Sequence, residues 1–378
     1  MENNKIIYFD NAATTSPSKE VVSIYNEALM TSYFNPASAH QAGTRASREL
    51  DNARADILRA FNLSDYSLVF TSGASEANNL ALKGFAHRYQ KRGKHIITSS
   101  FEHPSVSNTL KALEQEGFEV TYLETKDGHI SLEELERSIR PDTILVSIMA
   151  VNNEVGFIQD VKGISSLVHK HNGIKLHIDA VQAVGKIAIN YRDADLITVS
   201  MHKIHGLKSS GLLLMKKGIE LVPLIDGGGQ ENGIRSGTND VPMALAASYA
   251  VKYALSHQKE SFNHCLELVK PLYGYLDSHK ELYEVHSSKD NPFIVNFSFV
   301  NKKASVFVEA FSSYGIMVAS KSACSSRLDK GSVTLLALNK SSQIANNSIR
   351  LSFSRLNTLE EVNAFIQKMD QLVKELRA

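Results

Sequence analysis

Cysteine is scarce in this chain. Two residues in 378, Cys265 and Cys324, cannot build a disulfide framework, and they fit a reducing, cytoplasmic setting. Net charge is nearly absent: 41 basic residues against 40 acidic ones leave +1. That balance calls for neither nucleic acid nor an anionic membrane as the main partner. No apolar run approaches the roughly 18 residues that a bilayer demands. The opening stretch, MENNKIIYFDNAATT, lacks a basic segment followed by an apolar core, so it is not expected to be a signal peptide. Internal repeats, low-complexity tracts and charge blocks are missing as well. What remains is a chain of globular composition, long enough for two domains.

The middle of the sequence alternates strand-like and helix-like segments. Apolar runs at 66–73, 94–100, 118–124, 143–151, 174–180 and 196–201 read as strands, and helical spacing appears after the first two and at 131–140 and 160–171. Such alternation predicts a mostly parallel α/β sheet covered on both faces. A Gly-rich break, IDGGGQENGIRSGTND, precedes a long helical stretch over 242–285. From about 290 the pattern changes to an α+β arrangement. Strands are expected at 292–300, 316–320 and 348–354, with helices at 303–314 and 358–377.

Ligands of open parallel sheets bind at the carboxyl ends of the strands, so the polar residues there carry the functional reading. FTSGASEANN offers backbone N–H groups at a helix entrance together with Ser72 and Ser75, a possible phosphate seat or an ordinary helix cap. HIDAVQAVGK ends a strand in Asp179, with Gln182 three residues on. The strand 196–201 delivers Lys203 inside HKIHGLKSSG. An acid and a lysine at adjacent strand ends suit pyridoxal 5'-phosphate (PLP): the lysine as Schiff-base amine, the acid on the pyridine nitrogen. A structural salt bridge is the alternative. His103 follows a further strand end, where it could stack on a cofactor ring or move protons or be an ordinary structural or solvated loop histidine, and the Asn152–Asn153–Glu154 run at another strand end reads equally as loop residues or ligand donors. Arg350, on an apolar strand, suits a bidentate grip on a carboxylate or a surface ion pair. Cys324 lies in ASKSACSSRLDKGS with Lys321 and Arg327 nearby, and cationic neighbours favour a thiolate. Cys265, in a helical run, reads as packed and inert.

In order along the chain, YFDNAATT, FNPASAH, FTSGASEANN, HIITSSFEHPSV, TILVSIMAVNNEVGFIQD, HIDAVQAVGK, HKIHGLKSSG, GGGQENGIRSGT, KSACSS and SIRLSFSRLNT resemble the cysteine desulfurases of the NifS/IscS type, PLP enzymes of fold type I and aminotransferase class V. The resemblance implies a large α/β domain with a mostly parallel seven-stranded sheet over 16–255. It also implies a smaller α+β domain over 256–378 carrying a catalytic loop at about 321–333, with residues 1–15 packed on the small domain. The implied roles fall on this chain as follows. Lys203 holds the cofactor and serves as base at Cα. Asp179 pairs with the ring nitrogen, Gln182 with the phenolic oxygen, and His103 lies over the ring and relays protons. Ala74, Ser75, Ser200 and His202 hold the phosphate, with Thr238 reaching in from the second subunit of a homodimer. Asn35, Asn153 and Arg350 hold the carboxylate of substrate L-cysteine, and Cys324 accepts the sulfur as a persulfide.

That sulfur would pass to an acceptor protein, an iron–sulfur scaffold or a tRNA thiolation enzyme. The chain departs from the family pattern at Lys321, His205, Leu207, Ser209–Ser210, Ser354 and Ser75, none of which removes an implied catalytic group. Lys208 reads as a structural or interface charge. Another class V enzyme, a selenocysteine lyase or an aminotransferase, is the alternative function, and a weakly active protein-binding scaffold is a third. The Cys324 loop separates these, because a transaminase needs no thiol.

Overall fold

The structure, a computed structural model, describes residues 6–320 and 332–375. Cys324, Lys321 and Arg327 lie outside the described residues, as does most of the expected catalytic loop. The chain starts with a short strand, β1 (Ile7–Tyr8). Seven further strands build the main sheet: β2 (Tyr66–Thr71), β3 (His95–Ser99), β4 (Glu119–Leu123), β5 (Thr143–Met149), β6 (Lys175–Asp179), β7 (Leu196–Ser200) and β8 (Gly211–Lys216). Their order across the sheet is β2-β8-β7-β6-β5-β3-β4. Every pairing is parallel except those of β8, which runs against both β2 and β7. The fold is therefore the seven-stranded, mostly parallel α/β sheet of fold type I.

Sequence alternation explains why both faces are covered. In β8, Leu212 and Leu214 join one apolar cluster while Leu213 and Met215 join the other, and β2 splits Leu68 and Phe70 from Val69 in the same way. The strands expected in this sheet are present within a residue or two of their ends. The unexpected one, β8, is a Leu/Met run without β-branched residues, so its apolar character alone does not separate strand from helix.

The helical stretch expected over 242–285 is corrected. It consists of two helices, Val241–Ser256 and Gln258–Ser278, followed by a strand, β9 (Tyr283–Val285). His257 leaves helical geometry between the helices at φ −105°, ψ 13°, while apolar spacing continues across it. Tyr283 becomes extended because its ring packs on Phe297 and Phe299 of the neighbouring strand, a tertiary contact that overrides local spacing. That neighbour is β10 (Ile294–Phe299). The stretch expected as a strand over 316–320 pairs only through β11 (Ile316–Met317), which lies parallel to β1. The last strand, β12 (Ser348–Ser352), completes a three-stranded sheet in the order β9-β10-β12. Among the described residues no helix is long and apolar enough to cross a membrane.

Parallel pairing brings the ends of β2, β3, β5, β6 and β7 to one edge, and antiparallel β8 begins there. Residues 9–18 run past this edge. Ser352 donates from its N–H to the Phe9 carbonyl (2.7 Å), and Thr15 donates to the His202 carbonyl (2.8 Å). The N-terminal segment thus ties the smaller sheet to the loop after β7.

Candidate active site

A cavity of about 540 Å³ opens at the carboxyl edge of the main sheet. Its floor is Asp179, the last residue of β6, which is buried. Oδ1 accepts from the Val181 N–H (3.0 Å) and Oδ2 from the side-chain amide of Asn78 (2.9 Å). A carboxylate buried at a strand end needs such donors to persist.

Lys203 enters from the turn after β7. Its Nζ donates to the carbonyls of Ala12 (2.6 Å) and Ala13 (2.5 Å) in the N-terminal segment. Gln182 Nε2 donates to the same Ala12 carbonyl (2.9 Å), and its Oε1 accepts from the buried Lys186 Nζ (2.8 Å).

Hydroxyl and backbone donors cluster at one end of the cavity. Ser72, Ala74, Ser75, Ser200, His202 and Ser209 all line it. Ser200 Oγ is buried and makes no hydrogen bond within the protein, an unmet donor beside a site rich in N–H groups. The turn is made by Gly73 at φ +151°. A Cβ on Gly211 would sit 2.5 Å from the Gly73 carbonyl carbon, so β8 can start against this turn only as glycine. His202 Nδ1 pairs with the Thr14 hydroxyl (3.1 Å), and burial beside Lys203 and Lys208 pushes its pKa down to about 4. A neutral imidazole, free N–H groups and hydroxyls form the donor set that a phosphate dianion needs.

His103 lies at the start of the helix Pro104–Gln115 and lines the cavity. Its Nδ1 accepts from the Ser105 N–H (3.1 Å) and pairs with the Ser105 hydroxyl (2.8 Å). Burial lowers its pKa, and Lys203 adds to that while Asp179 opposes it. Arg350, in β12, is buried. It donates from Nη2 to Asp10 (2.7 Å) and from Nη1 to the Asn153 carbonyl (2.8 Å), and its Nε is buried with no partner. The ion pair raised as an alternative for Arg350 exists, but inside the chain and facing the cavity rather than on the surface.

The structure thus brings Ala74, Ser75, His103, Asn153, Asp179, Gln182, Ser200, His202, Lys203 and Arg350 around one cavity. It does not bring Asn35 or Thr238 there. Asn35 is exposed, with its Oδ1 accepting from the Ala37 N–H (2.9 Å). Thr238 is exposed beside a neighbouring cavity of about 140 Å³ that shares Ser72 and Ser209 with the main one. Cys265 is buried in the helix Gln258–Ser278, where burial pushes its thiol up to about 12 and leaves it inert. His205 is structural: it is buried, with Nδ1 on the Ser16 carbonyl (2.9 Å).

Sequence reading assigned no role to Asn78, Ser105, Asp10 or the Ala12 and Ala13 carbonyls. Asn78 did carry a signal, a polar side chain between Ala77 and Leu80 on a helix face that the apolar spacing marks as buried.

Fold and site together define a PLP-dependent enzyme of fold type I. The unpartnered Ser200 hydroxyl, the glycine-lined turn and the Asp179–Lys203 pair fit that cofactor. A sequence profile of the class-V aminotransferases matches residues 7–365, and the chain belongs to that family. It is 40% identical over 387 residues to the cysteine desulfurase IscS of Vibrio vulnificus, covering 98% of this chain and 93% of that one. A NifS/IcsS protein homolog of Lactobacillus delbrueckii subsp. bulgaricus is 36% identical over 373 residues, 97% of each chain. Among solved structures, a NifS-like protein superposes with a TM-score of 0.90 at 35% identity, covering 98% of this chain and 99% of the other. The structure of SspA in complex with cysteine gives 0.80 at 34% identity, with 93% and 100% covered.

Proposed function

We propose that this protein is a PLP-dependent cysteine desulfurase that converts L-cysteine to L-alanine and receives the sulfur on Cys324. The observation that carries this reading is the placement of Asp179 and Lys203 in one cavity with the unpartnered Ser200 hydroxyl. Near full-length likeness to cysteine desulfurases supports it, and the cysteine bound to SspA supports the substrate class.

When bound, PLP supplies an aldehyde that joins an amine and a pyridinium ring that withdraws electrons from the substrate's Cα. Ser75, Ser200 and His202, with the N–H groups at Ala74, would hold its phosphate. Asp179 would meet the ring nitrogen, where a carboxylate favours the protonated form, and Gln182 would offer its amide to the phenolic oxygen. Lys203 would hold the cofactor, and its Nζ is placed to take the Cα proton of the substrate and to give it back before alanine leaves. Arg350 and Asn153 meet the substrate carboxylate. Cys324 then attacks the substrate sulfur as thiolate. The Cβ–S bond breaks with its electron pair left on carbon, and that carbon takes up a proton to become the methyl of alanine. The sulfur stays on Cys324 as a persulfide, so sulfur is oxidised as carbon is reduced.

Thr238 and Asn35 fit the same reading as contributions to a neighbouring subunit's site in a homodimer, since both are exposed in the single chain. The recipient of the sulfur is then an acceptor protein, such as an iron–sulfur scaffold or a tRNA thiolation enzyme, in a cytoplasm that keeps Cys324 reduced.

The test is turnover of L-cysteine with dithiothreitol, following alanine and sulfide together. Equal amounts of both are expected. Lys203→Ala abolishes the visible absorbance of bound cofactor, and Cys324→Ser still takes up cysteine but forms no persulfide. Undiminished sulfide production by Cys324→Ser overturns the assignment of the acceptor, and a protein that takes up no PLP overturns the whole reading.

A further inference from the structure

Four polar side chains form one directional chain behind the cavity. Asp179 can only accept at Oδ2, so the atom of Asn78 that meets it at 2.9 Å must be the amide nitrogen. The second proton of that same nitrogen points at Ser105 Oγ, 2.8 Å away. Ser105 Oγ therefore accepts from Asn78 and has its own proton to give. The neighbour that takes it is His103 Nδ1, at 2.8 Å. The Ser105 backbone N–H donates to that nitrogen as well, at 3.1 Å. Asn78 is fully buried, and its own Oδ1 makes no hydrogen bond, so the amide is held by its two donated bonds alone.

We propose that Asn78 and Ser105 are positioning residues that hold His103 as the Nε2–H tautomer, so that it offers a proton donor to the cavity. With two donors aimed at Nδ1, a proton there would meet two others, and the ring keeps its hydrogen on Nε2. The burial that lowers the His103 pKa keeps the ring neutral, and the two donors then decide which nitrogen carries the hydrogen. Asp179 and Lys203, which line the same cavity, act on the ring in opposite directions, the carboxylate favouring its protonation and the lysine opposing it. The chain also links the orientation of His103 to the carboxylate at the cavity floor. Loss of the anchor at Asp179 then frees the Ser105 hydroxyl to turn and accept instead of donate. The inference rests on the proposed function only in assigning His103 to the reacting side of the cavity.

The test is nitrogen NMR of holoenzyme labelled with ¹⁵N-histidine, with the His103 signals assigned by their absence in His103→Gln. In the wild type one protonated nitrogen, Nε2, and one bare acceptor, Nδ1, are expected. Ser105→Ala removes the hydroxyl donor but not the backbone one. The Nε2–H preference is expected to fall about five- to tenfold, the size that one neutral hydrogen bond supports. Ser105→Thr restores the wild-type signals, a rescue that a purely structural role would not require. Asn78→Ala shifts the same two nitrogens without touching His103. An unchanged tautomer in both Ser105→Ala and Asn78→Ala overturns the proposal, because the backbone N–H would then suffice. Visible absorbance of the cofactor, recorded on each sample, shows separately whether the PLP site has formed. Its absence in the wild type would count against the proposed function and leave the tautomer readout intact.

Discussion

Glu102 sits beside His103 in the sequence yet points away from solvent, into the sheet. Its Oε1 accepts from Ser99 Oγ (2.5 Å) and the Met149 N–H (2.9 Å), while Oε2 is buried without a partner. Burial, reinforced by Asp179, pushes its pKa up to about 8. In the unfolded chain an ordinary Glu titrates near 4.3. Between those values the folded protein holds one proton more than the unfolded one, so this group's contribution to stability falls as pH rises through that window. Glu102→Gln, neutral at every pH, is expected to melt above the wild type at pH 8.5 and to lose most of that advantage by pH 5.5. Paired thermal melts at the two values check it. A gap that does not widen with pH would mean that Glu102 is ionised in the folded state.

At the scale of elements, the start of β8 against the Gly73 turn decides whether the phosphate seat has its shape. An alanine at Gly211 places its Cβ inside backbone contact distance of Gly73 and Ala74, and neither can retreat as a flexible side chain would. Gly211→Ala is expected to destabilise by about 1–3 kcal/mol. It should also raise the Kd for PLP at least tenfold, read by titrating apoprotein absorbance. Gly274, inside the helix Gln258–Ser278 with nothing within 4 Å of its added Cβ, is the control. Its alanine variant should gain about 0.5–1 kcal/mol and bind PLP normally. Equal PLP affinity in the two variants would detach β8 from the site.

This seat was half legible in the sequence. The Ser and Gly residues of FTSGASEANN stand out locally, whereas the partner strand that shapes it, β8, is a Leu/Met run with no β-branched signature. Asp179 and Lys203 were readable because one ends an apolar strand and the other follows one within three residues. Asp10 was not, and Asn78 showed only as a polar residue on a buried helix face, because their significance comes from partners 340 and 101 residues away in the chain. The break inside the helical stretch expected over 242–285 was hidden for a related reason: one residue, His257, leaves helical geometry without interrupting the apolar spacing.

Across the whole molecule, the N-terminal segment connects the two sheets past the cavity, and a buried lysine, Lys186, stands behind Gln182 of its lining. Lys186 donates to Gln182 Oε1 (2.8 Å), whose amide reaches the Ala12 carbonyl that also receives Lys203. Burial lowers its pKa to about 7; Lys203 and Arg350 push the same way and Cys265 opposes. A lysine in the unfolded chain keeps its proton to about 10.4. Between pH 7 and 10 the unfolded state therefore binds more protons. This group's contribution to stability rises with pH across that window by up to about 1.4 kcal/mol per pH unit. Its sign is opposite to that of Glu102, so neither slope can be read from the wild type alone. Lys186→Met removes the titration and the bond to Gln182 together, but the lost bond changes stability by the same amount at every pH. The variant's stability relative to wild type is expected to be most favourable at pH 6.5 and to decline steadily toward pH 9.5. Urea unfolding of both proteins at half-unit intervals measures this. A difference that stays flat with pH would show that Lys186 keeps its proton in the fold, with the Gln182 amide as acceptor for an ammonium.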